Sequence, residues 1–304
     1  MKVTKFADLV TAAKSLPKKA VVAVVQAQDE HTLDAIVDAK KEGIIDALLI
    51  GDVAAIKALL AKLGGNESDY TLIPAAGNEE ALKLAVENIN AGKASAIMKG
   101  KLDSGEFLKA VVSRDSGLRG SGKLSLIGFY EIDKSKYHKL FAVTDMGMNI
   151  APDLEGKRAI IDNAVGLLRK LGVEKPKVAI LSESEKLNTK IQASVDAAEL
   201  KKLCESGEIK DCVVEGPISF DLSTSAEAAK IKGYNSPVAG DADLLVVPEI
   251  ITGNVLVKCL TGMAGATTAG TILGAKIPVI MTSRSAEAAD KFYSIALAAC
   301  AAPQ

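Results

Sequence analysis

The stretch Ile277-Pro278-Val279-Ile280-Met281-Thr282-Ser283-Arg284 is an apolar run that stops abruptly at short polar residues, and an Ala-rich segment carrying Asp290 follows it. It reads as a strand running into a helix. In an open α/β sheet, ligands settle beyond the carboxyl ends of the strands, where helix N-termini offer unpaired N–H groups to anions. A hydroxyl, a guanidinium and a carboxylate at such an edge suit an oxyanion and a proton transfer. Ser283, Arg284 and Asp290 are therefore the first candidate site residues. If one helix contains both Ser283 and Asp290, their spacing of seven puts them on one face, about 10 Å apart along the axis. They would flank a ligand rather than bond each other.

The same order of strand and helix recurs upstream. Val21 to Gln26, Ala47 to Ile50, Tyr70 to Ile73 and Ala94 to Met98 are short β-rich runs, each followed by a helical pattern. Such alternation predicts right-handed βαβ units and a parallel sheet covered on both faces. The polar, glycine-rich run Ser113 to Lys123 reads as a long loop or domain crossing. Beyond it, Leu124 to Ile132 and Leu140 to Thr144 suit an antiparallel pair. Alternation then resumes at Lys177 to Leu181, Cys212 to Val214, Leu244 to Val247 and Ile277 to Met281. Thr224 and Glu227 have capping-box spacing ahead of Ala228 and Ile231.

A chain of 304 residues with 48% hydrophobic content can bury a large core, and its length favours two domains. With 37 basic against 38 acidic residues it offers no global attraction to nucleic acid or an anionic membrane, so any anion site is local. Aromatic residues are 4% and Trp is absent, too few for a base-stacking platform. The four cysteines lack C-x-x-C spacing, no basic-then-apolar signal opens the chain, and no apolar run is long enough to span a bilayer. These features lead us to expect a cytoplasmic protein with reduced thiols. His31 and His138 are the only histidines and neither is near a cysteine, which argues against a zinc site or a histidine-centred nucleophile.

Gly117 to Lys123 nearly spells a phosphate-binding loop, but Leu124 stands where a Mg-binding hydroxyl belongs and a strand follows instead of a helix; a plain connection is expected. Lys99, Gly100 and Lys101 end a predicted strand just before a helix cap at Asp103 or Ser104. That place suits a phosphate or pyrophosphate with Gly100 allowing close approach, and equally a solvated turn. Gly262, Gly265, Ala266, Gly270 and Gly274 read as close helix packing, within a subunit or across a dimer, ahead of backbone approaching a ligand. Three polar clusters follow strands: Thr144, Asp145, Asn149 and Asp153; Gly216, Pro217, Phe220 and Asp221; and Ser283 with Arg284. Turn and cap chemistry explains any one of them, while their recurrence suggests one polar edge.

Taken in order, MKGKLDSGEFLKAVV from Met98, LFAVTDMGMNIAPDLEGK from Leu140, PKVAILSESE from Pro176, EGPISFD from Glu215, KIKGYNSPVAGDADLLVVPEIITGN from Lys230 and GAKIPVIMTSR from Gly274 resemble the phosphate acetyltransferase and butyryltransferase family. The resemblance spans about residues 94 to 300. It implies two α/β domains with a cleft between them, of isocitrate/isopropylmalate dehydrogenase-like architecture, with residues 1–119 and 275–304 in the first domain and 120–274 in the second. It also implies a homodimer and reversible acyl transfer between coenzyme A and orthophosphate. Acyl-CoA is then a substrate, with no permanently bound cofactor and no metal.

By the same resemblance Ser283, Arg284 and Asp290 are catalytic, and Arg284 and Lys109 bind phosphate. Lys109 stands where the family has an arginine, which keeps the charge and loses the bidentate fork. Lys99, Gly100 and Lys101 are coenzyme A-binding candidates. The text around Met98 resembles the butyryl branch more than the acetyl branch, so a butyryl or branched four- to five-carbon acyl group is favoured. The alternatives are an acetyl-specific enzyme, a nicotinamide-dependent dehydrogenase of the same fold, and a non-enzymatic binding protein.

Overall fold

The computed structural model describes residues 2–120, 122–282 and 286–303. The chain divides into two compact units, one made of residues 7–121 and 269–304, the other of residues 1–6 and 122–268. After α1 (Phe6–Lys14), the first unit alternates β1 (Ala20–Val25), α2 (Glu30–Lys41), β2 (Ile45–Gly51), α3 (Val53–Lys62), β3 (Thr71–Pro74), α4 (Asn78–Asn90), β4 (Ala96–Lys99) and α5 (Ser104–Val112). Its strands lie in the order β3-β2-β1-β4, all parallel. Val22 to Val25 are all buried, as a sheet covered on both faces requires. Aspartates cap the helices at this edge: Asp29 accepts the Thr32 N–H at 2.9 Å, and Asp103 accepts those of Gly105 and Glu106 at 2.8 and 3.1 Å.

The second unit opens with the expected antiparallel pair, β5 (Ser125–Glu131) and β6 (Phe141–Thr144). It continues through α6 (Leu154–Lys170), β7 (Lys177–Leu181), α7 (Gln192–Glu205), β8 (Val213–Ile218), α8 (Phe220–Thr224), α9 (Ala226–Ile231), β9 (Leu244–Val246) and α10 (Ile250–Gly262). The strand order is β5-β6-β9-β7-β8, parallel from β6 onward. Tyr137 anchors its core, donating its hydroxyl to the Ala242 carbonyl at 2.7 Å and meeting Phe141 edge-on at 5.2 Å. The N-terminal residues join this unit, because the Val3 N–H reaches the Leu171 carbonyl at 2.9 Å and the Thr4 carbonyl accepts the Leu140 N–H at 2.7 Å. The cap expected at Thr224 is instead Ser225, whose hydroxyl accepts the Ala228 N–H at 3.1 Å. Thr224 ends α8, its own hydroxyl turned back to the Phe220 carbonyl at 2.7 Å.

The chain returns through β10 (Thr267–Leu273), β11 (Val279–Ile280) and α11 (Ala288–Ala301). Of the small residues expected to pack helices, Gly262 ends α10 and Gly270 lies in β10, so the run crosses from helix to strand. Thr267, Thr268, Thr271 and Ile272 are β-branched, and β10 pairs antiparallel with β11 at Ile272 and Val279. The predicted strand over 277–281 narrows to two residues, since Pro278 has no N–H to give a ladder; its carbonyl still accepts the Ile97 N–H at 3.2 Å. β11 pairs parallel with β4, Ile280 opposite Met98. The glycine-rich connection runs beside this return: Arg119 bridges Ala275, and a Cβ on Gly120 would lie 2.2 Å from the Gly274 carbonyl oxygen. That contact accounts for Gly120 without a phosphate.

Candidate active site

β1, β4 and β11 run parallel and end side by side, Lys99 opposite Val25 and Met98 opposite Ile280. Gln26, beyond the end of β1, is buried and takes a positive φ of 54°. The Val25 and Gln26 carbonyls accept the N–H groups of Gly100 and Lys101, each at 2.9 Å. A Cβ on Gly100 would sit 2.2 Å from the Gln26 oxygen and 2.7 Å from that of Val25. The close approach this glycine permits is thus to the protein's own backbone. Lys99 donates its ammonium to the carbonyls of Leu102 at 3.0 Å and Gly100 at 3.3 Å, so it shapes the loop from within. Lys101 is exposed.

Lys109 is exposed on α5, two positions from the buried Phe107 and Val111, and belongs to the helix's last turn. Five residues from the start of α5, it stands about 7.5 Å along the axis from Ser104. Ser283 and Arg284 lie outside the described residues. α11 begins at Ala288, so the condition under which Ser283 and Asp290 would share one helical face is not met.

Asp290 is the third residue of α11, in a reciprocal capping box with Glu287; its carboxylate accepts the Glu287 N–H at 3.3 Å. Next to it, Lys291 is buried to 5% exposure and donates to the Ala286 carbonyl at 3.0 Å. Burial pushes the Asp29 carboxyl up, but the hydroxyl and N–H of Thr32 and the charges of His31 and Lys291 outweigh it and leave Asp29 below its ordinary value. The ends of α2 and α11, which pack together, are thus also coupled by charge. Nothing in the sequence marked Lys291, since an alternating polar pattern does not reveal which lysine is buried.

The second unit has its own polar strand edge. Asp145 is buried and ties its loop: one oxygen accepts the N–H groups of Gly147 and Met148, each at 2.9 Å, and the other accepts the Asn149 amide at 2.6 Å. Asp153 caps α6 through the Gly156 N–H at 2.8 Å. Asp221 is pulled down to about 2, first by the Lys232 ammonium at 2.8 Å and then by the Ser219 hydroxyl. These clusters build loops and helix starts. Beside them Phe220, 41% exposed, walls two apolar hollows: one of about 370 Å³ with Leu181, Ile191 and Leu256, and one of about 660 Å³ with Tyr137, Phe141 and Met263. The sequence signal for both was Phe220 among the polar residues that follow a strand. Among the described residues no three His, Cys, Asp or Glu side chains gather to hold a metal, and no helix is long and apolar enough to cross a membrane.

The sequence profile described as Phosphate acetyl/butaryl transferase matches residues 75–299. A phosphate butyryltransferase of Clostridium acetobutylicum is 38% identical over 300 residues, 99% of each chain. A phosphate acetyltransferase of Thermotoga maritima is 38% identical over 291 residues, covering 96% of this chain and 97% of that one. Among solved structures, a branched-chain phosphotransacylase from Enterococcus faecalis matches with a TM-score of 0.81 at 31% identity, over 92% of this chain and 98% of that chain. Likeness over this span makes the protein an acyltransferase. The chain belongs to the phosphate acetyl/butyryl transferase family.

Proposed function

We propose that this protein transfers a short acyl group reversibly between coenzyme A and orthophosphate, with butyryl or a branched four- to five-carbon group favoured. The observation that carries the reaction is the likeness along the whole chain to phosphate acyltransferases. Equal identity to a butyryl and an acetyl enzyme leaves the acyl preference resting on the sequence from Met98 to Val112. A pocket discriminates by only about 1 to 3 kcal/mol per methylene, so acetyl-CoA still reacts in this reading.

A phosphate oxygen attacks the thioester carbonyl, the carbonyl oxygen becomes an oxyanion, and the carbon–sulfur bond then breaks to release the thiolate, which takes up a proton. Arg284 and a lysine hold the phosphate dianion, and Ser283 donates to the oxyanion. In the reverse direction Asp290 removes the proton from the coenzyme A thiol, whose unperturbed pKa is about 8.5. Its capping box supports this role by orienting the carboxylate at the entry of α11. In this reading exposed Lys101 is the member of the 99–101 loop that meets a coenzyme A phosphate, while Lys99 and Gly100 hold the loop's shape. Lys109 serves phosphate as a point charge. Neither metal nor nicotinamide takes part.

An isocitrate dehydrogenase-like pairing of two domains belongs to the same proposal and is supported by the two compact units, each with parallel strands. So is a homodimer. Ile251, Val255 and Met263 are 70, 57 and 87% exposed, and with Cys259 they recur every four residues along α10 and its C-cap.

The test is a panel of acetyl-, butyryl- and isobutyryl-CoA, with free thiol followed with and without phosphate. The expected result is phosphate-dependent thiol release with the highest kcat/KM for a four-carbon group. Preference for acetyl-CoA removes the butyryl assignment; no phosphate-dependent release from any of them removes the reaction.

A further inference from the structure

Two of the cysteines meet in the second unit, away from every residue assigned to acyl transfer. Cys204 is the penultimate residue of α7 and Cys212 immediately precedes β8. The turn between them reverses at Gly207, whose φ is +80°, and is closed by the Gly207 N–H to the Cys204 carbonyl at 3.1 Å and the Ile209 N–H to the Leu203 carbonyl at 3.0 Å. α7 packs on β8, and the Cys204 thiol donates to the Cys212 carbonyl at 3.6 Å. Both are free thiols, Cys204 half-buried and Cys212 buried. Burial, then the neighbouring thiol, then the carboxylates of Asp162 and Asp211 push the Cys212 thiol up to about 12. Cys212 therefore stays protonated and inert toward solvent reagents until its neighbour has reacted. Cys259, on the exposed face of α10, and Cys300, buried in the other unit, have no thiol beside them among the described residues.

We propose that Cys204 and Cys212 form a dithiol that small disulfides oxidise to an intrachain disulfide, with Cys204 reacting first and Cys212 resolving. The Cys204 thiolate attacks one sulfur of R–S–S–R, that bond breaks, and R–S⁻ leaves and takes up the proton Cys204 gave up. Cys212 then loses its proton and attacks the Cys204 sulfur, and the second R–S⁻ leaves and is protonated. Two protein thiols have lost two hydrogens in all, and one small disulfide has become two thiols. With the Cys204 sulfur already against the backbone of Cys212, side-chain rotation brings the two sulfurs to a bond of about 2.05 Å. The product ties the end of α7 to the start of β8, at the opposite end of that strand from Phe220, so basal acyl transfer is unaffected.

The test uses the whole protein, reduced, freed of reductant, treated with oxidised glutathione and blocked with N-ethylmaleimide. Trypsin cuts after Lys202, Lys210 and Lys230 and places Cys204 in 203–210 and Cys212 in 211–230, so the disulfide joins two separate peptides. The expected result is accumulation of the joined pair, with Cys259 carrying only a glutathione adduct. In Cys212→Ser the Cys204 adduct persists; in Cys204→Ser, Cys212 is unmodified. The oxidised protein melts a few degrees higher than the reduced, and this rise is absent from both serine variants and retained in Cys259→Ser. A persistent Cys204 adduct in the wild type without the joined pair overturns the proposal, as does a joined pair that forms only in denaturant.

Discussion

Lys157 on α6 and Asp196 on α7 form an ion pair at 2.6 Å with side chains only 6 and 8% exposed. Gln192 donates to the other Asp196 oxygen at 2.7 Å. In Lys157→Met the carboxylate keeps the amide and loses its only charged partner among the described residues, in a place largely closed to water. Removing one member of a buried pair costs about 3 to 5 kcal/mol, because the remaining charge is uncompensated. In a unit of about 150 residues, where each kcal/mol moves the midpoint by about 2 to 4 °C, the melting transition of that unit falls by roughly 10 °C. Replacing both partners, as in Lys157→Met with Asp196→Leu, restores most of the loss, since no buried charge is left. Calorimetry of the wild type, both single variants and the double variant gives the coupling energy directly. Single variants that each lose less than about 1 kcal/mol, with no recovery in the double, would refute the account and mean that the pair is hydrated.

Gly100→Ala forces a Cβ against the Val25 and Gln26 backbone oxygens, which cannot yield, and should cost about 3 kcal/mol with a raised KM for acyl-CoA; a variant with native melting and native KM contradicts the packing argument. Asp290→Asn keeps an oxygen to accept the Glu287 N–H, so α11 stays capped, but it cannot accept a thiol proton. Attack of coenzyme A on acyl phosphate should slow about 100-fold at neutral pH, with the deficit shrinking at high pH; equal turnover would leave Asp290 as a cap alone. Asp241 is pushed up by burial and pulled much further down by the Lys139 and Lys177 ammonium groups and the His138 ring. Its folded value lies below the unfolded one of about 3.9, so its stabilising share is full above that value and lost as pH falls through the folded value. The stability gap between wild type and Asp241→Asn, followed by urea titration, should therefore be open at about pH 5 and close as pH falls below about 4; a gap unchanged across that fall overturns this.

The strands of the first unit were legible because each is a short apolar run closed by turn residues, and the β5–β6 pair because a polar loop of hairpin length separates two β-rich runs. β10 was not. Its partner β11 is short and contributed through tertiary pairing, and regularly spaced glycines over 262–274 mimic a helix-packing stripe. At the site, the sequence offered Asp103 or Ser104 as the cap of α5, and the fold uses Asp103. Glu287 and Asp290 also have capping spacing, but a glutamate at the cap position is outside the Ser/Thr signature, so the helix appeared to reach further back. Gly100 shows the limit most clearly: a sequence can say that something approaches the backbone there, and only the fold says that it is the end of β1.

That contact also determines how the loop moves. The amides of Gly100 and Lys101 are bonded to the carbonyls that end β1, with no clearance between the chains. Their hydrogens therefore exchange with solvent only when β1 and β4 part, an event on the scale of unfolding the unit rather than of loop fluctuation. The segment behaves mechanically as sheet, so a charged group that docks on Lys101 meets a fixed floor and leaves no loop entropy to be lost on binding.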